Sequence, residues 1–236
     1  MNPITRVKPM NKSESLFFKN KTVIFLFILL IGILLILIIP QIRNQIRIYK
    51  VLYTVYLFQL SFLISFLLIP VAMIIGNSFR FLDVPDKNRK LHKNPTPLTG
   101  GVAVFFAFVF TILFNFNFSI EMKAILVASS IIFVSGLFDD RFGLTARLRL
   151  LIQILCSLIV IVYEVRVTFI PVWWHFGYLI ELVISLIWII GITNSMNFID
   201  GMDGIASGSC MIYAIFFAII AYITRQSYLM YLSLAI

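Results

Sequence analysis

The sequence predicts an all-α, polytopic transmembrane helix bundle of about seven full spans and the start of an eighth. Three observations predict it. Hydrophobic residues make up 61% of the chain and charged residues 12%, against about half and about a quarter in average soluble domains. The apolar residues gather into uncharged runs of roughly 20 residues, the length that crosses a bilayer core. The polar residues and glycines concentrate in short loops between those runs.

Lys21 and Arg43 bracket the first run. Similar runs lie between Lys50 and Arg80, Lys93 and Glu121, Glu181 and Asp200, and Asp203 and Arg225. Two shorter runs, Ala124–Phe138 and Leu150–Tyr163, reach spanning length only with their flanks. The expected helices are 22–40, 51–76, 101–118, 122–138, 148–165, 179–195 and 207–224. An eighth opens near Ser227 and reaches Ile236 at about half the length a bilayer helix needs, so the chain is expected to continue. Lys19 and Lys21 before Val23–Ile39 could suggest a signal peptide. The apolar run is too long for one, and no small-x-small cleavage site follows. It reads as a retained helix. The chain divides into a basic tail (1–21), an extra N-terminal helix with a short basic loop (22–50) and a membrane domain (51–236).

The net charge of +9 would raise nucleic acid as a partner of a soluble protein. Here the cations sit in loops between apolar runs, where bilayer orientation and anionic lipid phosphates account for them. Nucleic acid is not expected. Cys156 and Cys210 each lie inside an apolar run and read as small hydrophobes, not as a disulfide or metal pair. With the N-terminus in the cytoplasm, thirteen of the 19 Lys and Arg fall on the cytoplasmic side, as the positive-inside rule requires. Trp173, Trp174 and Tyr178 then form an aromatic belt on the other side, and His175 beside them reads as an interfacial polar tip. The loops richest in polar residues and glycines all land on the cytoplasmic face. Acids and bases are absent from the expected helix middles, where ion-coupled transporters place them.

Three loops carry the candidate chemistry. The first, FRFLDVPDKNRKLHKNPTPLTGG, holds a cluster of Arg89, Lys90, His92 and Lys93. Three prolines there stop helix formation, and Gly100 and Gly101 allow a tight bend and a close approach to a ligand. On charge alone, a stop-transfer anchor on anionic lipid precedes a diphosphate cradle. The second loop is GLFDDRFG. Asp139 and Asp140 end an apolar helix, where negative charge opposes the macrodipole. Adjacent carboxylates cost free energy unless a cation or shared proton compensates. A divalent metal or Arg141 could do so, and Mg²⁺ favours one or two carboxylates plus substrate phosphates. The third loop is NSMNFIDGMDG. Asn197, Asp200 and Asp203 are spaced three apart, so consecutive members share a helical face. An ordinary Asx-and-Gly turn is the alternative. This loop has no Lys or Arg of its own, so its acids need a metal or the basic cluster of the first loop.

DVPDKNRKLHKNPTPLTGG, GLFDD and NSMNFIDGMDG, in that order, resemble the polyprenyl-phosphate N-acetylhexosamine-1-phosphate transferases of glycosyltransferase family 4. The resemblance covers about residues 51–236. It implies transfer of an N-acetylhexosamine 1-phosphate from a UDP-sugar to undecaprenyl phosphate, with release of UMP, to initiate a cell-envelope polysaccharide such as lipopolysaccharide or teichoic acid. It implies a multi-pass protein of the cytoplasmic membrane that is compatible with a homodimer and uses Mg²⁺, or Mn²⁺ in its place. By the same resemblance Asp139, Asp140, Asp200 and Asp203 are catalytic. Asp140, Asn197 and Asp200 hold the metal. His92, Lys93, Gly100, Gly101 and Asn197 bind substrate. Pro97-Leu98-Thr99-Gly100-Gly101 is closer to the undecaprenyl-phosphate N-acetylglucosamine-1-phosphate transferase branch than to the muramyl-pentapeptide branch, which has Thr-Met before the glycines. A further Gly-Asp-x-Gly-Ser loop and a later histidine- or arginine-rich loop of the family do not occur here; both would lie beyond Ile236. Phospho-N-acetylmuramoyl-pentapeptide transfer and intramembrane prenyl transfer are alternatives, and the missing loops make an inactive truncated remnant a third. An intramembrane prenyltransferase needs a second acid three or four residues after the first, and Gly143 and Leu144 stand there. A CDP-alcohol phosphotransferase needs Ala-Arg soon after Asp-Gly, and Asp203-Gly204-Ile205-Ala206-Ser207 lacks the arginine.

The Lys/Arg distribution yields a direct test. Single cysteines within 85–97, 141–147 and 196–206 should resist labelling from outside intact cells, and those within 43–50 and 168–178 should label. Outside labelling of the Asp139 loop would reverse the orientation.

Overall fold

The computed structural model describes residues 21–79, 81–83, 96–97, 99–116, 119–171, 173–174, 176–200 and 204–235. They are almost entirely helical: α1 (Lys21–Ile38), α2 (Pro40–Arg47), α3 (Lys50–Ser78), α4 (Gly100–Asn115), α5 (Ile120–Phe142), α6 (Ala146–Val162), α7 (Gly177–Ile199), α8 (Ile205–Ile223) and α9 (Ser227–Leu234). One antiparallel pair of two-residue strands, β1 (Leu82–Asp83) and β2 (Thr96–Pro97), joins Leu82 to Pro97 and Asp83 to Thr96.

Five helices, α1, α3, α5, α7 and α8, are long and apolar enough to cross a membrane, and α4 is a shorter apolar helix. The protein is a multi-pass membrane protein of helical class. Every helix expected from the sequence exists, but not every one has the expected reach. The helix expected at 101–118 stops at Asn115 after 16 residues. The helix expected at 148–165 runs for 17 and carries Arg147 and Arg149 in its first turn. The short helix α2 was not foreseen. Pro40 at its first position fixes a helical φ where a backbone donor is not needed, so the chain restarts a helix directly after α1.

The described residues form two compact units, one running to Thr111 and rejoined at Leu234, the other Ile112–Ser233. In the first, α1 packs along α3. Phe27 stacks on Phe66 at 6.0 Å between ring centroids, and Phe66, Phe62 and Phe58 continue the ladder one turn apart. The other face of α3 buries Tyr53, Tyr56, Leu57 and Leu60. Near the C-terminal end of α3, buried Thr99 donates its hydroxyl to the carbonyl of Ala72 at 2.7 Å. This contact fixes the start of α4 against α3. Gly76 permits it, because a Cβ there would stand 2.7 Å from Thr99 Oγ1 and 2.9 Å from Thr99 Cγ2.

In the second unit, α5 packs on α6, α6 on α7 and α7 on α8. Ser119 caps α5, its Oγ accepting from the Met122 N–H at 3.3 Å. At the opposite end of α5 and α7 from the candidate acids, Glu181 and Ser185 are buried in α7. The Glu181 carboxylate accepts from the Ile170 N–H at 3.2 Å and lies 3.6 Å from Arg166. Ser185 Oγ accepts from the Val167 N–H at 2.9 Å. Arg166 also pairs with Glu164 and stacks over Tyr178, 4.9 Å from the ring centroid. Trp173, Trp174 and Tyr178 are exposed around this cluster. His175 lies outside the described residues.

The Thr99–Gly76 contact makes a prediction with a built-in reversal. Gly76→Ala should lower the thermal midpoint in detergent, since crowding a buried side chain costs about 1–3 kcal/mol and exceeds the gain of about 1 kcal/mol from replacing a helical glycine. In a Thr99→Ala background the same substitution should be neutral or stabilising. Equal losses in both backgrounds would show that Gly76 serves something other than Thr99.

Candidate functional site

The second loop is a tight turn between α5 and α6. Gly143 ends α5 at φ +68°, a left-handed conformation that glycine adopts without a Cβ penalty. Its N–H donates to the Asp139 carbonyl at 2.8 Å. The next N–H, of Leu144, donates to Asp139 Oδ1 at 2.7 Å. Asp139 Oδ2 meets Arg149 Nε at 3.2 Å, and the Arg149 guanidinium also donates to the Leu144 carbonyl at 3.3 Å. Thr145 caps α6, accepting from the Leu148 N–H at 3.4 Å. Asp139 therefore ties the end of α5 to the first turn of α6. The sequence offered a divalent metal or Arg141 as compensation for the pair; Arg149 also supplies a cation, to Asp139. Asp140, the next residue, is exposed.

The third loop begins in the last turn of α7. Asn197 and Asp200 are both exposed, and the Asp200 N–H donates to the Met196 carbonyl at 3.1 Å. Phe198 between them is 90% exposed. Asp203 lies outside the described residues. Gly204 has φ +77° and precedes α8.

Among the described residues, a side-chain contact joins the two helices that carry these loops, and sequence reasoning missed it. Gln153 of α6 and Asn194 of α7 form a reciprocal amide pair. Gln153 Nε2 donates to Asn194 Oδ1 at 3.3 Å, and Asn194 Nδ2 donates to Gln153 Oε1 at 2.7 Å. At 1.5 Å of rise per residue, Gln153 stands about 12 Å from Thr145 and Asn194 about 9 Å from Asp200. The aspartate pair and the Asn197–Asp200 turn thus sit at the same end of the second unit. A lone glutamine in the apolar stretch from Leu150 to Val162 was the available signal, since polar side chains in such helices bond across to a neighbour.

The remaining candidates belong to the first loop. His92 and Lys93 lie outside the described residues. Gly100 and Gly101 form the first turn of α4, and an added Cβ at either would meet open space. Within the protein, a close backbone approach is made by Gly76 against Thr99.

Among the described residues no three His, Cys, Asp or Glu side chains gather as a metal-binding group. Asp140, Asn197 and Asp200 are exposed oxygen donors. Such a set suits an ion that keeps its waters and takes further ligands from substrate phosphates, as Mg²⁺ does, better than one needing a closed protein cage.

The fold and this end of the second unit define a multi-pass membrane protein with carboxylates and amides presented at one surface. Residues 122–236 match the model of glycosyl transferase family 4. Through that segment the chain is similar to this family. A probable undecaprenyl-phosphate N-acetylglucosaminyl 1-phosphate transferase of Bacillus subtilis is 32% identical over 161 residues, 66% of this chain and 44% of that protein. An undecaprenyl-phosphate alpha-N-acetylglucosaminyl 1-phosphate transferase of Thermotoga maritima is 34% identical over 149 residues, 62% of this chain and 45% of its own. A phospho-N-acetylmuramoyl-pentapeptide-transferase of Streptococcus equi subsp. zooepidemicus is 32% identical over 162 residues, covering 60% and 48%. The chain spans less than half the length of these curated relatives. No solved structure matches it.

The geometry separates the two adjacent aspartates. Asp139→Ala should lower the thermal midpoint by the equivalent of about 1–2 kcal/mol, the scale of a lost helix cap. Asp139→Asn keeps the acceptor for the Leu144 N–H and loses only a partly exposed ion pair, so it should cost less than about 1 kcal/mol. Asp140→Asn should leave the midpoint unchanged. Equal melting of Asp139→Ala and Asp140→Asn would remove the structural role of Asp139.

Proposed function

We propose that the complete protein containing this chain transfers an N-acetylhexosamine 1-phosphate from a UDP-sugar to undecaprenyl phosphate and releases UMP. The observation that carries this reading is the Gln153–Asn194 pair. It supports bringing the aspartate pair and the NSMNFID turn to one surface, within a segment that matches glycosyl transferase family 4. The names of the Bacillus and Thermotoga relatives support the N-acetylglucosamine branch. The streptococcal relative keeps the muramyl-pentapeptide donor as the second reading.

In this reaction an oxygen of the lipid phosphate attacks the sugar-bearing phosphorus of the UDP-sugar. A new P–O bond forms, the bond to the UMP oxygen breaks, and UMP leaves with that electron pair. Such transfers depend chiefly on positioning and charge neutralisation. Asp140, Asn197 and Asp200 would hold a Mg²⁺ ion, which when bound neutralises diphosphate charge. Asp139 holds the α5–α6 turn so that Asp140 stays at the surface. Gln153 holds Asn194, and with it the α7 turn that presents Asn197 and Asp200. Asp203, His92 and Lys93 complete the set by resemblance, with the two basic residues at the diphosphate or nucleoside. The sites face the cytoplasm, where a UDP-sugar is available, and the protein resides in the cytoplasmic membrane.

The full reading frame, purified in detergent with undecaprenyl phosphate and Mg²⁺, should release UMP from UDP-N-acetylglucosamine or a close 2-acetamido relative. Asp140→Asn and Asp200→Asn should each reduce that rate by at least about a hundredfold, the scale of one lost electrostatic contact, without lowering the thermal midpoint. Glu121→Gln, at the other end of α5, should match the wild type. Turnover with UDP-muramyl-pentapeptide alone would move the protein to that branch. Full activity in both aspartate variants would end the catalytic reading.

A further inference from the structure

Within the second unit, α5 and α6 leave a groove between them that the turn chemistry does not use. It holds two apolar cavities end to end, each of about 470 Å³, a size typical of small-molecule sites. One lies among Val134, Phe138 and Leu148, nearest the Asp139 turn. The other lies among Leu155, Ile159 and Val162, toward the far end of α6. Ile131 and Ile152 line both, so the two are continuous. From Leu148 to Val162 the groove runs about 21 Å at 1.5 Å per residue. Half of a bilayer's hydrocarbon core is about 15 Å. The groove therefore passes the midplane and outreaches the chains of one leaflet.

The wall is apolar along that length. Residues 124–138 and 150–163 contain no charged residue. The hydroxyls on the wall turn back onto their own helix: Ser130 donates to the Leu126 carbonyl at 2.6 Å and Ser135 to that of Ile132 at 2.8 Å. Charge stands at one end. Arg141 follows Val134 and Phe138 on the same face of α5. Arg147 opens α6 between Leu144 and Leu148, both of which line the groove. Both arginines are exposed. Arg149, two residues further on, is taken by Asp139. The Arg147 side chain has no hydrogen-bond or ion-pair partner among the described residues. An arginine lays its stem along apolar surface and keeps its guanidinium at the aqueous edge, where the planar fork suits a phosphate. A long dry groove with guanidinium groups at its mouth matches one anionic head on one long hydrocarbon chain. A diacyl phospholipid fits it less well, because its chains end within one leaflet.

We propose that the α5–α6 groove binds a lipid monophosphate with one long hydrocarbon chain. The chain lies along Ile152, Leu155 and Val162, and the phosphate sits on Arg147 with Arg141 beside it. That this lipid is the acceptor rests on the transferase reading; the fit of the groove to its chemistry does not. In that role the groove would set the acceptor phosphate at the α5–α6 turn, beside the exposed Asp140.

The test has a binding arm and a kinetic arm, both on the complete protein in phosphatidylcholine vesicles. A polyprenyl phosphate with a photoreactive group in mid-chain should crosslink within residues 131–163. Undecaprenyl phosphate should compete, and inorganic phosphate and phosphatidylglycerol should not. Leu155→Trp fills the groove from an exposed position. It should raise the half-saturating probe concentration about tenfold, the loss of roughly two buried methylenes. Ile187→Trp, exposed on α7, should leave it unchanged. Arg147→Gln should raise it about fivefold, the scale of one cation at a charged surface, and Arg147→Lys should restore most of the loss. The arginine variants keep the test intact if the tryptophan disturbs packing. In UMP release, Leu155→Trp should raise the KM for undecaprenyl phosphate by the same factor. The KM for the UDP-sugar, and for geranyl phosphate, which is too short to reach Leu155, should stay within about twofold, since only chain binding is removed. Crosslinks confined to other helices, equal competition by phosphatidylglycerol, or wild-type behaviour of Leu155→Trp and Arg147→Gln would overturn the groove even where UMP is released. Crosslinking in the groove without UMP release would uphold it and defeat the transferase reading.

Discussion

Asp139 bonds in three directions at the turn from α5 to α6. Its carbonyl takes the Gly143 N–H, one carboxylate oxygen takes the Leu144 N–H, and the other meets Arg149. A helix end leaves backbone groups without partners, and at a membrane surface these must be met locally or by water. Here one side chain meets a free N–H and also anchors the next helix. The left-handed Gly143 makes the geometry accessible, since a Cβ at that φ would be strained. The direction in which α6 leaves α5, and so the position of Gln153 against α7, follows from this turn. The second loop is held by carboxylate chemistry before any substrate arrives.

The same accounting runs through the helices. A membrane-spanning segment has no water to satisfy its polar groups. Its hydroxyls therefore turn back onto the carbonyl one turn earlier: Thr54 onto Lys50, Ser130 onto Leu126, Ser157 onto Gln153, Thr193 onto Ile189 and Thr224 onto Ile220. Polar groups that instead reach another helix or loop are few, and they mark where elements are fixed. Thr99 reaches α3, Gln153 reaches Asn194, and Ser185 and Glu181 reach the segment before α7.

Much of this was legible in the sequence. Apolar run lengths located each long helix within a few residues, because span length is set by the bilayer and not by tertiary context. The GLFDD and NSMNFID motifs do share an end, but they are not loops as read: α5 runs on to Phe142 and α7 to Ile199, so GLFDD and Asn194–Ile199 are the last turns of helices, while most of the first motif lies outside the described residues. What the sequence hid is a matter of partners. Nothing in GLFDD distinguishes Asp139 from Asp140. The difference lies in Arg149, a turn into the next helix, and in which carboxylate the chain reversal turns toward it. Glu181 marked the edge of an apolar run, yet it lies inside α7 and is buried. Arg166, from before that helix, neutralises it, and run-counting does not pair residues across a loop. Gly76 stood unremarked in an apolar run, because its role is defined by Thr99, far along the chain. Pro40 was readable as a helix start, but PQIRNQIR is too short and too polar to register against a search for spans.

The fate of each acid in the second unit separates fold from function. Glu181 is buried, bonded to a backbone N–H and ion-paired; removing its charge would leave Arg166 poorly compensated, so it reads as structure. Asp139 is partly exposed and doubly engaged, and it closes a turn. Asp140 and Asp200 are exposed at the same end of the second unit, and neither position is one that helix stability selects, since both lie at the C-terminal end of a helix where negative charge is disfavoured. An acid retained against that preference answers to something outside the helix. In the proposed function that partner is a cation on a phosphorylated substrate, and an exposed carboxylate suits it because the ion arrives with its waters. The chain thus uses its acids in two ways: Glu181 is buried and ion-paired within the fold, while Asp140 and Asp200 stand exposed at helix ends where the local dipole disfavours them.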